Sequence, residues 1–325
     1  MVNSNKTSYS AKVIIDSRLS GLEHAGIGRY TEMLIRHFSK LKTRSCFGGT
    51  KLEIRPIKPD IKHYTLVEQI RMPGILDREK PNLVHFPHFN VPLFYNKPFV
   101  VTVHDLLWHE QVGFEATTQS KWKYLIKYGG YRMVMKHALF KAKAIIAPSN
   151  WVKKQVIQRF PQVEKKVVVI YEGVVQCFKT LNQSRIDSRA IRKFDLKLRN
   201  YLIYVGSLYP HKNLKIVLDI LPQFPELKLV VACARSVFWE RFREEIEKRG
   251  LKDKVILAGF VSDEELVVLF QRALAFVFPS KSEGFGLPGL EAMAAGCPVI
   301  SSNAGSLPEV YGRAAVYFDP NNKEE

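Results

Sequence analysis

Cysteine is scarce in this 325-residue chain: there are four, at 46, 177, 233 and 297, with no CxxC pair. That argues against a zinc site or a disulfide framework and for a reducing compartment, so the expected location is cytoplasmic. Long apolar runs are missing too, and none approaches the length of a membrane span. The opening MVNSNKTSYS is polar, and no signal peptide is expected from it. At the first Gly-rich loop, 26–30, the spacing GxGxxG is absent and no acidic residue closes a dinucleotide fingerprint, which disfavours NAD. No nucleic-acid-binding module is present. Acid is in short supply: 31 Asp and Glu face 49 Lys and Arg, for a net charge of +18. That balance favours anionic partners, such as phosphorylated substrates or an acidic membrane surface.

What is there begins with a globular balance of 46% apolar and 25% charged residues, and a length with room for two domains. The most informative stretch is 276–302, FVFPSKSEGFGLPGLEAMAAGCPVISS. Phe276-Val277-Phe278 reads as the end of a buried strand. A polar loop with Ser280, Ser282, Glu283, Gly284 and Gly286 follows. Pro288 suits the first turn of a helix, Gly296 a left-handed stop, and Pro298 lies just beyond it. Val299-Ile300 opens the next strand. The loop and the helix start therefore lie outside the carboxyl end of a parallel strand, where open α/β sheets bind ligands. Free N–H groups there favour phosphate or sugar oxygens. Glycines 284 and 286 allow close approach to the main chain. Glu283 and Glu291, with seven residues between them, can turn two carboxylates toward one crevice as acceptors for hydroxyls.

Earlier in the chain, Lys12–Asp16 reads as a strand, 17–29 as a loop carrying Gly21, Gly26 and Gly28, and the segment from Tyr30 as a helix. Leu83–Phe86 and Phe99–Val103 read as strands, each followed by histidine: His88 after the first, which itself holds His85, and His104 after the second. The HxxH spacing lacks helical ligand geometry and no metal is expected. Residues 116–163 contain no Asp or Glu but ten Lys or Arg, interleaved with Trp122, Tyr124, Tyr128 and Tyr131. Positions 124, 128, 132 and 136 share one helical face. Trp122, Leu125, Ile126, Gly129 and Met133 form an apolar stripe. A solvated helix with a core stripe and an interfacial helix on anionic lipid both fit this pattern. Residues 176–199 turn polar and basic, and the strand–helix alternation restarts at Tyr201–Val205, so the boundary falls between. Gly206 and Ser207 follow that strand. Lys212 then stands near a helix start, where it can hold a diphosphate through charge-assisted hydrogen bonds. Ser262 and Glu265 form a capping-box signature.

The central string resembles the signature of family 4 retaining glycosyltransferases: Glu-x7-Glu within an E-G-F-G-L-P-x-L-E-A-M-A-x-G-x-P-V frame. GIGRY at 26–30, TVHDL at 102–106, the segment from Val205 to Asn213 and the strand and loop Val255–Val261 resemble further family segments. The resemblance implies a GT-B fold, two Rossmann-like α/β domains facing a cleft. Residues 1–180 would be the acceptor domain, 181–199 a linker and 200–325 the nucleotide-sugar domain. The implied reaction moves a hexose, mannose favoured, from a nucleotide sugar (GDP-mannose, or a UDP-hexose) to a hydroxyl of a glycan or lipid-linked acceptor, with retention and without metal or cofactor. His104, Lys212 and Glu283 would be catalytic. Gly26, Gly28, Gly206, Ser207, Lys212, Gly259, Phe260, Glu283, Gly284, Phe285, Gly286, Leu287 and Glu291 would contact the donor, with Glu291 on the ribose and Glu283 on the sugar. His104, Gly26 and Gly28 would come from the opposite domain. Many members have Arg where this chain has Ser207, which leaves His211 or another basic residue to complete the diphosphate clamp. The alternative is a nucleotide-sugar-binding protein without catalysis, or an inactive fragment, since no helical pattern follows Val316–Phe318 and a C-terminal truncation is expected.

Overall fold

A computed structural model of the chain describes residues 10–21, 25–40, 45–46, 50–106, 121–174, 178, 196–233 and 237–325. They divide into two compact units. The first takes in the described residues up to Leu106, with Lys121–Pro148 and Val152–Ile170; the second takes in Ser149–Trp151 and the described residues from Tyr171 to Glu325.

The first unit carries β1 (Ser10–Asp16), α1 (Ala25–Lys40), β2 (Ser45–Cys46), β3 (Thr50–Ile57), α2 (Leu66–Arg78), β4 (Leu83–Phe86), β5 (Phe99–Thr102), α3 (Lys121–Lys141), β6 (Ala144–Ala147), most of α4 (Asn150–Arg159) and β7 (Val167–Val169). Its sheet has the order β2-β3-β1-β4-β5-β6-β7, parallel throughout except for the short β2. The second unit carries β8 (Tyr201–Val205), α5 (Leu214–Ile220), β9 (Lys228–Ala232), α6 (Trp239–Lys248), β10 (Val255–Gly259), α7 (Asp263–Arg272), β11 (Ala275–Phe278), α8 (Leu287–Ala294), β12 (Val299–Ser302), α9 (Leu307–Tyr311) and β13 (Ala315–Phe318). Its six parallel strands have the order β10-β9-β8-β11-β12-β13.

Most central strands are short apolar runs, such as Phe99–Thr102, Ala144–Ala147 and Ala275–Phe278, as strands covered on two faces require. In the second unit Tyr201, Tyr204, Phe270, Phe276 and Phe278 are fully buried and fill the space between sheet and helices. The capping box at Ser262 and Glu265 forms and starts α7. In each sheet the strand order reverses once, between β1 and β4 and between β8 and β11. A crevice opens beyond the carboxyl ends of the strands at such a reversal. The loops after β8 and β11 flank that point in the second unit.

The structure departs from the sequence reading in three places. Gly26 and Gly28 belong to the first turn of α1 rather than to the loop before it. The reason is steric: a Cβ on Gly28 would collide with the carbonyl oxygen of Gly21, so the helix can start this close to the loop only with glycine there. Two elements carried no reading, β3 and α2. In α3 the stripe positions 125, 126, 129 and 133 face outward. Tyr131, Met135, Ala138 and Leu139 are buried, with the Tyr131 ring edge-on to Phe89 at 5.0 Å. Leu125, Ile126 and Met133 are exposed at 50, 75 and 61%.

Candidate functional site

The loop after β11 is held chiefly through its backbone. The carbonyl oxygen of Glu283 accepts from Ser306 twice, from N at 3.1 Å and from Oγ at 3.0 Å. Gly305 sits at φ +65, and a Cβ there would lie 2.7 Å from both N and O of Glu283. The Gly284 carbonyl accepts from Ser149 Oγ at 2.7 Å. Gly286, at φ +93, is the N-cap of α8. Its carbonyl accepts from Tyr311 Oη at 2.6 Å. The same phenol lies against Gly289, where a Cβ would collide with it. Tyr311 is thus wedged between two glycines at the first turn of α8, and the glycines are what admit it.

The loop after β8 is set by a second tyrosine. Gly206 takes φ +148, and Tyr204 Oη donates to the Ser207 carbonyl at 2.6 Å. Burial first, and then the charge of Glu283, push both phenols well above their usual value, so Tyr204 and Tyr311 remain donors at neutral pH. A short 3-10 turn, Pro210–Lys212, ends at Asn213 in the left-handed region, whose Nδ2 donates to Pro320 O at 2.8 Å. Lys281 N donates to His211 O at 2.8 Å and ties the two loops together.

Between these loops lies a close pair of opposite charges. Lys212 Nζ donates to Glu283 Oε1 at 2.6 Å, with side-chain exposures of 17 and 12%, and lies 5.6 Å from the centre of the Phe278 ring. Burial, followed by the charge of Lys212, pushes the His211 imidazole down to about 4. At neutral pH it is uncharged, so it does not supply a second cation beside Lys212. Glu291 is the fifth residue of α8 and is only 3% exposed. Phe285 and Leu287 are buried, whereas Phe260, just after the left-handed Gly259 at the end of β10, is 55% exposed. The structure therefore brings Gly206, Ser207, Lys212, Glu283, Gly284, Phe285, Gly286, Leu287 and Glu291 to the strand-order reversal of the second unit. Gly259 and Phe260 stand at the carboxyl end of β10, the outer strand on the β9 side.

Within the first unit His104 follows β5, its Nε2 2.9 Å from the Pro87 carbonyl and its ring edge-on to Tyr30 at 4.8 Å. His85 Nε2 and Tyr30 Oη both reach Thr102 Oγ1, at 2.9 and 3.1 Å. Burial holds His85 down to about 4 and His88 well below its usual value, so both are neutral. Gly26 is exposed and Gly28 buried.

Sequence reasoning missed a buried charge network at the carboxyl edge of this sheet. Arg18 makes a fork to Asp16, Nε to Oδ1 at 2.9 Å and Nη2 to Oδ2 at 2.6 Å, and its Nη1 lies 2.7 Å from Glu68 Oε1. Glu68 also accepts from Asn90 Nδ2 and from Tyr64 N, each at 2.7 Å. Burial works to raise the Glu68 carboxyl, but the His63 hydrogen bond, the Arg18 charge and the Asn90 bond outweigh it and hold the group below the usual carboxylate range. The available signal was the Thr65-x-x-Glu68 cap, in which Glu68 N donates to Thr65 Oγ1 at 3.2 Å. Among the described residues no three His, Cys, Asp or Glu side chains gather as a metal ion requires, and no helix is long and apolar enough to cross a membrane.

Two family profiles match the chain. Glycosyltransferase Family 4 matches residues 25–175 and Glycosyl transferases group 1 matches residues 187–325. The chain belongs to the family 4 glycosyltransferases, and its two α/β units are those of the GT-B fold. Among curated proteins it is 29% identical over 276 residues to the O-antigen chain mannosyltransferase B of Escherichia coli, covering 81% of this chain and 68% of that one. It is 28% identical over 244 residues to the O-antigen chain mannosyltransferase RfbU of Salmonella typhimurium, covering 74% of this chain and 62% of that one. The chain thus spans about two thirds of the length of these relatives. Among solved structures, Anabaena HepE in complex with UDP and glucose superposes with a TM-score of 0.70 at 18% identity, over 98% of this chain and 87% of that one.

Proposed function

We propose that this glycosyltransferase moves a hexose from a nucleotide sugar to a hydroxyl of a growing polysaccharide, with retention at the anomeric carbon and without a metal ion. The observation that carries the reading is the Lys212–Glu283 pair, held at the strand-order reversal of the second unit beside the N-terminus of α8. Lys212 is a compact cation placed to take the leaving diphosphate, and the first-turn amides of α8 add partial positive charge. Glu283 is assigned to the sugar hydroxyls, Glu291 to the ribose, exposed Phe260 to the base and His104 to the donor sugar. Mannose is favoured because the two curated relatives above are mannosyltransferases acting on O-antigen chains. A UDP-hexose is next, because HepE is seen with UDP and glucose. The partner on the acceptor side is a glycan or lipid-linked saccharide. The outward apolar residues of α3, on a helix that carries Lys127, Arg132, Lys136 and Lys141 and no Asp or Glu of its own, support an anionic lipid surface as the place of work.

The test is direct. Thermal-shift screening with GDP-mannose, UDP-glucose and UDP-galactose identifies the donor. Transfer is then followed with and without a chelator, and the anomeric configuration of the product is read by NMR. Donor binding without turnover on any saccharide would favour the non-catalytic alternative. An inverted product would overturn the retaining assignment.

A further inference from the structure

A second concavity lies in the first unit, away from the residues assigned to the donor. The loop Pro59–Ile61 and the outer face of α2 flank an open groove of about 440 Å3 lined by Asp60, Ile61, Ile70, Arg71, Gly74 and Arg78. That volume falls within the range of small-ligand sites. The helix presents two faces. Glu68, Gln69, Met72 and Leu76 are buried against the sheet, and the opposite arc carries Leu66, Val67, Ile70, Arg71, Gly74 and Arg78. On that arc Leu66, Val67 and Ile70 are 82, 51 and 70% exposed.

Charge distinguishes this face from an ordinary solvated helix. The acids near the end of α2 are engaged elsewhere: Asp77 with Lys97 at 2.9 Å, and Glu79 with Lys12 and Arg55, each at 2.8 Å. Arg71 and Arg78 have no ion-pair partner among the described residues. The two guanidinium groups outnumber the single Asp60 carboxylate, so the pocket carries net positive charge beside three exposed aliphatic side chains. A planar guanidinium suits a phosphate oxygen pair. The space above Gly74 is open, since a Cβ there would meet nothing within 4 Å.

We propose that this pocket binds the phosphate head of a lipid in a bilayer, with Arg71 and Arg78 on the phosphate and Leu66, Val67 and Ile70 entering the acyl boundary. Connections β3–α2–β4 and β5–α3–β6 step across the sheet in the same direction, so right-handed crossovers place α2 and α3 on the same face. The proposal extends the lipid-surface reading from α3 to α2 and adds a defined headgroup site to it.

The test is flotation of the full chain with phosphatidylcholine vesicles, plain or doped with phosphatidic acid. Wild type should partition preferentially onto the doped vesicles. The double variant R71Q/R78Q removes two partnerless exposed charges and should lower that partitioning by about 30-fold, the equivalent of about 1 kcal/mol per basic residue at an anionic surface. Gly74→Leu fills the pocket without changing charge, favours the helix, and should lower it as well. The control R313Q/K323Q takes the same charge from exposed positions of the second unit, and a loss equal to that of R71Q/R78Q would overturn the proposal. So would full binding by Gly74→Leu. A melting shift with soluble dihexanoyl phosphatidic acid but no vesicle binding would overturn the bilayer source. If I126S/M133S in α3 abolishes binding while the α2 variants do not, the lipid surface stands and the α2 site falls. Wild type indifferent to both vesicles overturns both.

Discussion

Glu283→Gln should tighten the binding of a nucleoside diphosphate while depressing transfer. In the structure Lys212 is already engaged, 2.6 Å from Glu283 Oε1, so a diphosphate must compete with this carboxylate for the lysine. Glutamine keeps the size of the side chain and one oxygen to accept from Nζ, but removes the charge. The magnitude lies between two limits. Breaking a fully buried pair costs about 3–5 kcal/mol, and an exposed pair contributes about 0–1 kcal/mol. With 17 and 12% of the two side chains exposed, and with glutamine retaining a neutral hydrogen bond, about 1 kcal/mol is the appropriate scale, which is roughly fivefold in affinity. Transfer falls because the sugar hydroxyls lose a charged acceptor. Calorimetry with GDP and UDP measures the first effect, and initial rates measure the second. A Lys212→Met background supplies the control: there Glu283→Gln should bring no gain, since no cation is left to release. Unchanged or weaker diphosphate binding by Glu283→Gln, or a gain that persists in Lys212→Met, would refute the argument.

Other expectations concern the same two sheet edges. Glu291→Ala should weaken the nucleoside diphosphate by about 1.5–3 kcal/mol for each charged hydrogen bond lost, and unchanged calorimetric affinity would remove Glu291 from the ribose. Tyr311→Phe deletes the 2.6 Å bond to Gly286 O; about 1–2 kcal/mol of stability should go with it, together with a higher KM for donor, and a wild-type melting curve with wild-type KM would count against the wedge. The buried histidines set an acid limit. His85, held at about 4, and His88, held lower, are neutral in the fold, whereas unfolded histidine titrates near pH ~6.5. Above that value neither state takes a proton and stability is flat. Below it the unfolded chain binds protons that the folded chain refuses, so each histidine removes about 1.4 kcal/mol per pH unit down to its folded pKa. Urea midpoints of His85→Gln should therefore fall less steeply than wild type between pH 6.5 and 4.5, and parallel slopes would contradict this. For α3, Ile126→Ser with Met133→Ser should reduce flotation with vesicles containing phosphatidylglycerol, and wild-type flotation would return the stripe to a solvated role.

The second unit was largely legible because its punctuation is local. Gly286 and Gly296 lie at positive φ where the string EGFGLPGLEAMAAGCP predicts a helix start and stop, and the helix runs between them. Ser262 and Glu265 form their box as read. The first unit was less legible. Thr50–Ile57, TKLEIRPI, mixes three charged residues and a proline into a strand, and Leu66–Arg78 carries Pro73 inside a helix, so neither shows a clean period. The orientation of α3 was not fixed by spacing either. Its stripe and its buried face are both apolar, and packing of Tyr131 on Phe89 decides between them. The Asp16–Arg18–Glu68 network was invisible for another reason. Asp16 and Arg18 are two residues apart, but Glu68 is distant in sequence, and only the docking of α2 brings it to them.

The two sheet edges are thus held by different physics, and this bears on how each can do its work. The loops of the second unit are fixed by main-chain contacts: Ser306 on Glu283 O, Tyr311 on Gly286 O and Tyr204 on Ser207 O. Such contacts do not engage the charged side chains, so Lys212 and Glu283 are left facing each other and can exchange that contact for a ligand. The edge of the first unit spends its charged side chains on structure. Arg18 is committed to two carboxylates, and Glu68 accepts from Arg18, Asn90 and the backbone at Tyr64. A guanidinium so engaged is a poor ligand for a polyphosphate, because any new anion would have to displace both carboxylates inside a buried site. The diphosphate of the proposed donor would therefore be better served by the second unit. Among the described residues at the first unit's edge, His104 and the Tyr30–Thr102–His85 set bring together imidazole and hydroxyl groups, a chemistry that suits hydroxyl groups rather than phosphate.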